Sequence, residues 1–254
     1  MTLSMEKWVG QVAVVTGSSA GIGLSITEKL VEHGMKVVGL ARRKVLMEEH
    51  KNRWKNKKGT FHPVQCDITK ESDLVNAFEW IKKNLGPVSV LINNAGKGGD
   101  TTLINGDVEL WKGIFALNVL GLCIATREAI NHMIESNING HVIHINSIAG
   151  HYIPFHQYSN IYPASKFAVT ALVETLRREL NLTKSKIKIS DISPGLVNTE
   201  IANDLPSDSF LAHAVANPNN LKCEDIADAV IYVLSTPPHV QIHELIVKPV
   251  NEAW

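Results

Sequence analysis

Short apolar, β-branched runs alternate along this chain with longer stretches whose apolar positions recur every three or four residues. Gln11–Thr16 (QVAVVT) reads as a strand that stops at glycine, and Ile22, Ile26 and Leu30 then carry a helix to Gly34. The same rhythm predicts strands at Lys36–Leu40, Phe61–Cys66, Pro87–Ile92, His141–Asn146, Ile187–Ile192 and His243–Val247. Between them it predicts helices at Lys44–Lys58, Glu71–Leu85, Asp107–Ser136, Tyr162–Lys184 and Glu224–Leu234. The helix after Tyr162 shows its buried stripe in Val169, Leu172, Leu176 and Leu180. Regular strand–helix alternation of this kind predicts an α/β chain built on a doubly wound parallel sheet, with helices on both faces and ligands bound outside the carboxyl ends of the strands.

One stretch breaks the rhythm. Residues 196–220 are polar and proline-broken yet contain Ile201, Leu205, Phe210, Leu211 and Val215. That is the composition of a lid over an apolar substrate, and also of a surface excursion without function.

Totals narrow the function classes. With 254 residues, 44% hydrophobic and 20% charged, the chain suits one globular domain spanning 1–254. Twenty-five Lys and Arg balance 25 Asp and Glu, which disfavours a nucleic-acid partner and leaves a small molecule as the expected one. Cys66, Cys123 and Cys223 are too scattered for a disulfide framework or a zinc site, so the expectation is a reducing compartment and no metal. Ile114–Ala125, the longest mostly apolar stretch, is interrupted by Asn118 and too short to span a bilayer, and Met1–Gly10 has no apolar leader core, so a cytoplasmic protein without a transmembrane segment is expected.

Candidate chemistry gathers at the ends of the expected strands. The turn Thr16-Gly17-Ser18-Ser19-Ala20-Gly21-Ile22-Gly23 sits between strand and helix, where glycines let a backbone approach a pyrophosphate and the helix start offers unpaired N–H groups. A glycine-rich turn can equally serve tight helix–strand packing. The second strand ends in Ala41-Arg42-Arg43, where an NAD site would carry an acid for the ribose 2′-hydroxyl; alanine leaves room for a 2′-phosphate and a guanidinium offers it a fork, which favours NADP. Arg43 is the more readily explained of the two as a solvated base at a helix start. Asp67-Ile68 either caps the next helix or places an acceptor and an apolar face against adenine. Asn93-Asn94-Ala95-Gly96 has the small residues that let a ribose cross a strand end. Asn118, a polar amide inside an apolar helix, needs a partner, and Ser147 is delivered to the same rim. Tyr162 and Lys166, four apart, share one helix face, where an ammonium lowers a phenol pKa toward working pH and makes a proton-transfer pair.

Taken together, Thr16-Gly-x-x-x-Gly-Ile-Gly23, Asn93-Asn-Ala-Gly96, Asn118, Ser147, Tyr162-x-x-x-Lys166 and Pro194-Gly195 resemble the short-chain dehydrogenase/reductase family over essentially the whole chain. Ala41-Arg42-Arg43 resembles its NADP-preferring subgroup, and Tyr162–Glu179 with Val230–Pro238 is similar to insect farnesol dehydrogenase-like enzymes and their vertebrate relatives acting on keto- and hydroxysteroids. The resemblance implies a Rossmann-type fold and an NADP-dependent oxidoreductase for an apolar alcohol or carbonyl, an isoprenoid or a steroid, with a non-catalytic NADP-binding regulator as the rival.

It further implies Tyr162 as acid/base, Ser147 as the donor to the substrate oxygen, Lys166 on the nicotinamide ribose and Asn118 in a proton relay. Gly17, Ser19, Gly21, Ile22 and Gly23 would surround the phosphates, Arg42 and Arg43 the 2′-phosphate, Asp67 and Ile68 the adenine, and Asn94, Ala95 and Gly96 the middle of the cofactor. Pro194, Gly195, Val197 and Thr199 would lie on the nicotinamide side. Family members are dimers or tetramers, so a homo-oligomer is expected. One departure stands out: Ser147 precedes Tyr162 by fifteen residues, two more than the commonest family spacing, so the intervening loop is expected to bulge into the substrate cleft.

Overall fold

A computed structural model describes residues 3–99, 102–153, 161–200, 217–250 and 252. Among the described residues the alternation resolves into seven parallel strands. They are β1 (Val12–Thr16), β2 (Lys36–Ala41), β3 (Thr60–Gln65), β4 (Val88–Asn93), β5 (His141–Ile145), β6 (Lys188–Pro194) and β7 (Glu244–Val247). The sheet order is β3-β2-β1-β4-β5-β6-β7, so the winding reverses between β1 and β4, the crevice where doubly wound sheets take their ligands.

Residue alternation along the strands explains why both sheet faces are covered. In β1, Ala13 and Val15 join one apolar cluster, while Val12 and Val14 join the other. Helices α1 (Gly21–Glu32) and α2 (Lys44–Arg53) close the first face through Ile26, Leu30, Val31 and Met47. α3 (Glu71–Asn84) closes the second through Leu74, Phe78 and Ile81, and α6 (Ile161–Leu182) through Val169, Val173 and Leu180. The helix nearest the C-terminus, α7 (Cys223–Ser235), returns to the first face with Ile226, Val230 and Val233.

Two helices differ from expectation. α2 stops at Arg53 rather than running to Lys58, because Trp54 turns into the core against Phe61, 5.2 Å between ring centroids, while Lys57 reaches back to Glu28 and Glu32. The helix expected at Asp107–Ser136 is three pieces in line: α4 (Val108–Phe115), a π-helical segment (Ala116–Gly121) and α5 (Leu122–Glu135). As one run, Val108–Glu135 is 28 residues long, and by length and composition alone it is long and apolar enough to cross a membrane, which corrects the shorter reading of Ile114–Ala125. In this fold it packs on β4 and α3 and buries Ile114, Ala125, Ala129 and Met133.

β5 also carries a pH liability. His141 and His144 are buried, and burial, aided by the charges of Lys188 and Lys7 on the first and Lys166 on the second, pushes both pKa values down to about 3. The unfolded chain binds these protons below about pH 6.5 while the native state refuses them, so stability falls as pH drops through that range. By about pH 5 each histidine should remove about 2 kcal/mol. Asp191, pushed up to about 6 by burial, takes its proton more readily in the native state and offsets part of the loss. Urea unfolding should therefore show a lower midpoint at about pH 5 than at about pH 7.5, with a smaller drop in His141→Gln; equal drops would remove His141 from the cause.

Candidate active site

The carboxyl ends of β1 and β4 are stitched together before any ligand is considered. Thr16 Oγ1 accepts from the backbone N–H of Asn94 and of Ala95 at 3.0 Å each, and Asn94 Nδ2 donates to Thr16 O at 2.9 Å and to Gly17 O at 3.3 Å. That closeness requires glycine. A Cβ on Gly17, whose φ is +69°, would lie 2.9 Å from Ala95 Cα, and one on Gly23 would lie 2.4 Å from both Asn94 Nδ2 and Gly17 O. The first turn of α1 has neither a side-chain cap nor an acidic residue, so its N–H groups stay open to an anion.

Further along the rim, the π-helical segment turns Asn118 inward. Asn118 Oδ1 accepts from Lys97 N at 2.9 Å, and its Nδ2 donates to Lys97 O and to Ser165 Oγ at 3.0 Å each. Such bulges recur at functional sites because one extra residue re-aims a side chain. Ser147 begins a single 3-10 turn (Ile148–Gly150) after β5, accepting from Ala149 N at 3.1 Å, and a side-chain hydrogen bond joins it to Tyr162. Lys166, buried one helical turn below Tyr162, donates to Ile145 O at 3.0 Å and lies 5.7 Å from the tyrosine ring centroid. Gly96 sits between these groups: a Cβ there would be 3.5 Å from Asn118 Oδ1 and 4.0 Å from Lys166 Nζ.

The short chain dehydrogenase family model matches residues 11–209. The chain belongs to that family. It is 46% identical to farnesol dehydrogenase of Aedes aegypti over 98% of this chain and 100% of that one. It is 43% identical to dehydrogenase/reductase SDR family member 11 of Mus musculus, over 98% and 97% respectively. Among solved structures, the closed form of a serine dehydrogenase complexed with NADP+ superposes with a TM-score of 0.87 at 29% identity, covering 96% of this chain and 97% of that one. The family binds a nicotinamide cofactor, and the open N–H groups of α1 and the side-chain-free backbone at Gly96 fit one.

Electrostatics at Tyr162 and Lys166 correct one expectation. Lys166 does not lower the Tyr162 phenol; burial raises its pKa, and the Ser147 hydrogen bond pulls it part of the way back. The lysine is desolvated as well, pushed down to about 8 by burial, with the charge of Asp191 acting the other way. Below about pH 8 the ammonium is still charged, but for the Tyr162 phenol the cost of burial outweighs what lowers it.

Other expected residues fall near the rim in different ways. Ile22 lies in the first turn of α1 and packs against the core, and Ser19 accepts from Arg43 Nε at 3.1 Å. Arg43, for which the sequence left a solvated base open beside a 2′-phosphate contact, is thus the arginine tied to the glycine turn, whereas Arg42 is exposed and lies near Asp67, whose carboxyl is held low by the Thr69 hydrogen bonds first and by the Lys70 and Arg42 charges after them. Asp67 does not cap α3, whose N-cap is Lys70; its Oδ1 accepts from Thr69 N and Oγ1 at 3.1 and 2.7 Å and closes its own turn. Ile68 is buried beside Gly121.

On the far side, Pro194 pairs with Val247, Val197 is buried and bridges to Leu221, and the Thr199 methyl lies 3.8 Å from a Cβ built on Gly21. Glu252 Oε1 accepts from Leu196 N at 3.1 Å, which places its carboxylate against Gly195. The expected lid lies mostly outside the described residues, as do 154–160 of the loop before Tyr162.

Four polar residues at the site escaped the sequence reading. Ser165 donates to Tyr162 O at 2.7 Å and receives Asn118. Asn146 Nδ2 donates to Thr170 Oγ1 and to Asp191 Oδ2 at 2.9 Å each, placing a buried carboxylate behind Lys166. Glu200 meets Arg43. Asp191, His151 and Glu244 also bring potential ligand atoms within 4.8 Å of one another, although His151 Nε2 already bonds Ser193 Oγ at 2.9 Å and Glu244 Oε1 at 2.7 Å. The dipeptides Ser-Pro and Asp-Ile around Asp191 carry no motif from which any of this is legible.

Proposed function

We propose that this protein is an NADP(H)-dependent oxidoreductase that interconverts an apolar alcohol and its carbonyl, with a farnesol-type isoprenoid as the preferred substrate class. The observation that carries the reading is the meeting of Ser147, Tyr162, Lys166 and Asn118 at one end of a parallel sheet, beside a turn with open N–H groups. The cofactor supplies or takes the hydride. The Tyr162 hydroxyl gives a proton to the carbonyl oxygen in reduction and takes it back in oxidation, and Ser147 holds that oxygen in line. Lys166 steadies the ribose side through its ammonium and replaces protons lost by the phenol, with Asn118 and the Lys97 carbonyl fixing the relay behind it.

Arg43, held against Ser19, and Arg42 beside it supply the charge for a 2′-phosphate, in keeping with Ala41 at the end of β2. The farnesol preference draws on the 46% identical Aedes relative. Steroid turnover is the alternative within the same chemistry. A copy-to-copy contact through α4, α5 and α6 accounts for the exposed Val108, Leu120, Ile134 and Phe167 on those helices and their connecting segment, giving a homo-oligomer in the cytoplasm.

A substrate screen with both cofactors tests the reading. Oxidation of farnesol-type alcohols should run with NADP+ and faster than oxidation of hydroxysteroids. Absence of turnover with every alcohol, ketone and aldehyde tried, despite cofactor binding, would favour the non-catalytic regulator.

A further inference from the structure

Arg43 is already engaged by a carboxylate of this chain. Its Nε donates to Ser19 Oγ at 3.1 Å, while Nη1 and Nη2 both donate to Glu200 Oε2 at 3.0 Å. Glu200 lies 157 residues away in sequence, a few residues beyond β6, and Thr199 next to it sits against the glycine turn at Gly21. The contact therefore crosses from the end of β6 to the end of β2.

Resting on the reading that Arg43 faces a 2′-phosphate, we propose that Glu200 is an internal competitor for that phosphate and so sets how strongly the protein prefers NADPH to NADH. Carboxylate and phosphate oxygens are the same kind of acceptor for a guanidinium fork, and a fork has a limited number of directed N–H groups. Both terminal nitrogens here converge on one carboxylate oxygen. A phosphate carrying nearly two charges cannot settle on this fork with Glu200 in place, because the two anions would share one cation at close range. NADH brings only hydroxyls to the position and leaves the pair intact. Discrimination is thus the phosphate–Arg43 attraction less the Glu200 contact that must be released.

The size of that opposing effect is bounded by exposure. The two side chains are 51% and 53% exposed, and exposed ion pairs are weak. Releasing Glu200 should change affinity by about two- to fivefold, enough to measure and not enough to reverse the preference.

Equilibrium titration of NADPH and of NADH, followed by calorimetry, into the wild type, Glu200→Gln, Arg43→Ala and the double variant reads this directly. Glu200→Gln should bind NADPH about two- to fivefold more tightly with NADH unchanged, and the gain should vanish in the Arg43→Ala background. If Arg43→Ala weakens NADPH but Glu200→Gln leaves it unchanged or weaker, the competitor role is overturned while the cofactor reading stands. If Arg43→Ala leaves NADPH binding unchanged, both the phosphate contact and the competitor role are overturned. Glu200 is exposed and its replacement conservative, and the unfolding temperature of each variant reports whether the fold is retained.

Discussion

Tyr162→Phe is expected to bind NADPH as the wild type does and to lose about 100- to 10,000-fold in kcat/KM, the range that positioned proton transfer contributes. The substitution removes one hydroxyl and little else. The ring keeps its place 5.7 Å from the Lys166 ammonium, and Lys166 keeps its bond to the Ile145 carbonyl at 3.0 Å. What disappears is the group that Ser147 bonds and that a substrate oxygen would meet. Because burial holds the phenol above its ordinary value, alcohol oxidation by the wild type should rise with pH as the base forms, whereas the residual activity of the variant should lose that dependence. Turnover at the wild-type level in Tyr162→Phe, with NADPH binding intact, would remove the tyrosine from the chemistry.

The second large effect belongs to the cradle. Gly23→Ala places a Cβ 2.4 Å from Asn94 Nδ2 and 2.4 Å from the Gly17 carbonyl oxygen. Asn94 cannot simply swing aside, since the same nitrogen holds Thr16 O at 2.9 Å and thereby ties β4 to β1. Relief has to come from moving the glycine turn or breaking the tie, a cost of about 1–3 kcal/mol. In a chain of this size that lowers the unfolding temperature by several degrees, on the order of 2–4 °C per kcal/mol. Cofactor affinity should fall by more than about tenfold, since the displaced backbone is the surface offered to the phosphates. Gly98→Ala is the control, because a Cβ at Gly98 meets nothing within 4 Å. Equal behaviour of the two variants in thermal unfolding and cofactor titration would show that the Gly17–Gly23–Asn94 contact does not shape the site.

Local pattern made much of this protein legible from residues alone. β1 is four apolar residues closed by Thr16 at a glycine turn, and an unbroken apolar run on a strand whose side chains alternate already implies two covered faces. Tyr162 and Lys166 are one helical turn apart, so their proximity follows from helix geometry once the helix is granted. Asn118 was legible as a polar residue needing a partner, but its partners were not, because Lys97 lies 21 positions earlier and Ser165 lies 47 later. Arg42 and Arg43 look alike in sequence, and Arg43 is singled out by its contacts with Ser19, 24 positions away, and Glu200, 157 positions away.

The alternation of strands and helices, the parallel winding, the glycine turn and the spacing of Tyr162 and Lys166 follow from residue order alone, because each depends on neighbours within a helical turn or on the order of elements. The sign of the Tyr162 pKa shift, the buried Asn146–Asp191 pair behind Lys166 and the carboxylate that holds Arg43 emerge with folding. A pKa sums desolvation and every nearby charge, whatever its place along the chain, and an ion pair needs two groups that folding alone brings together.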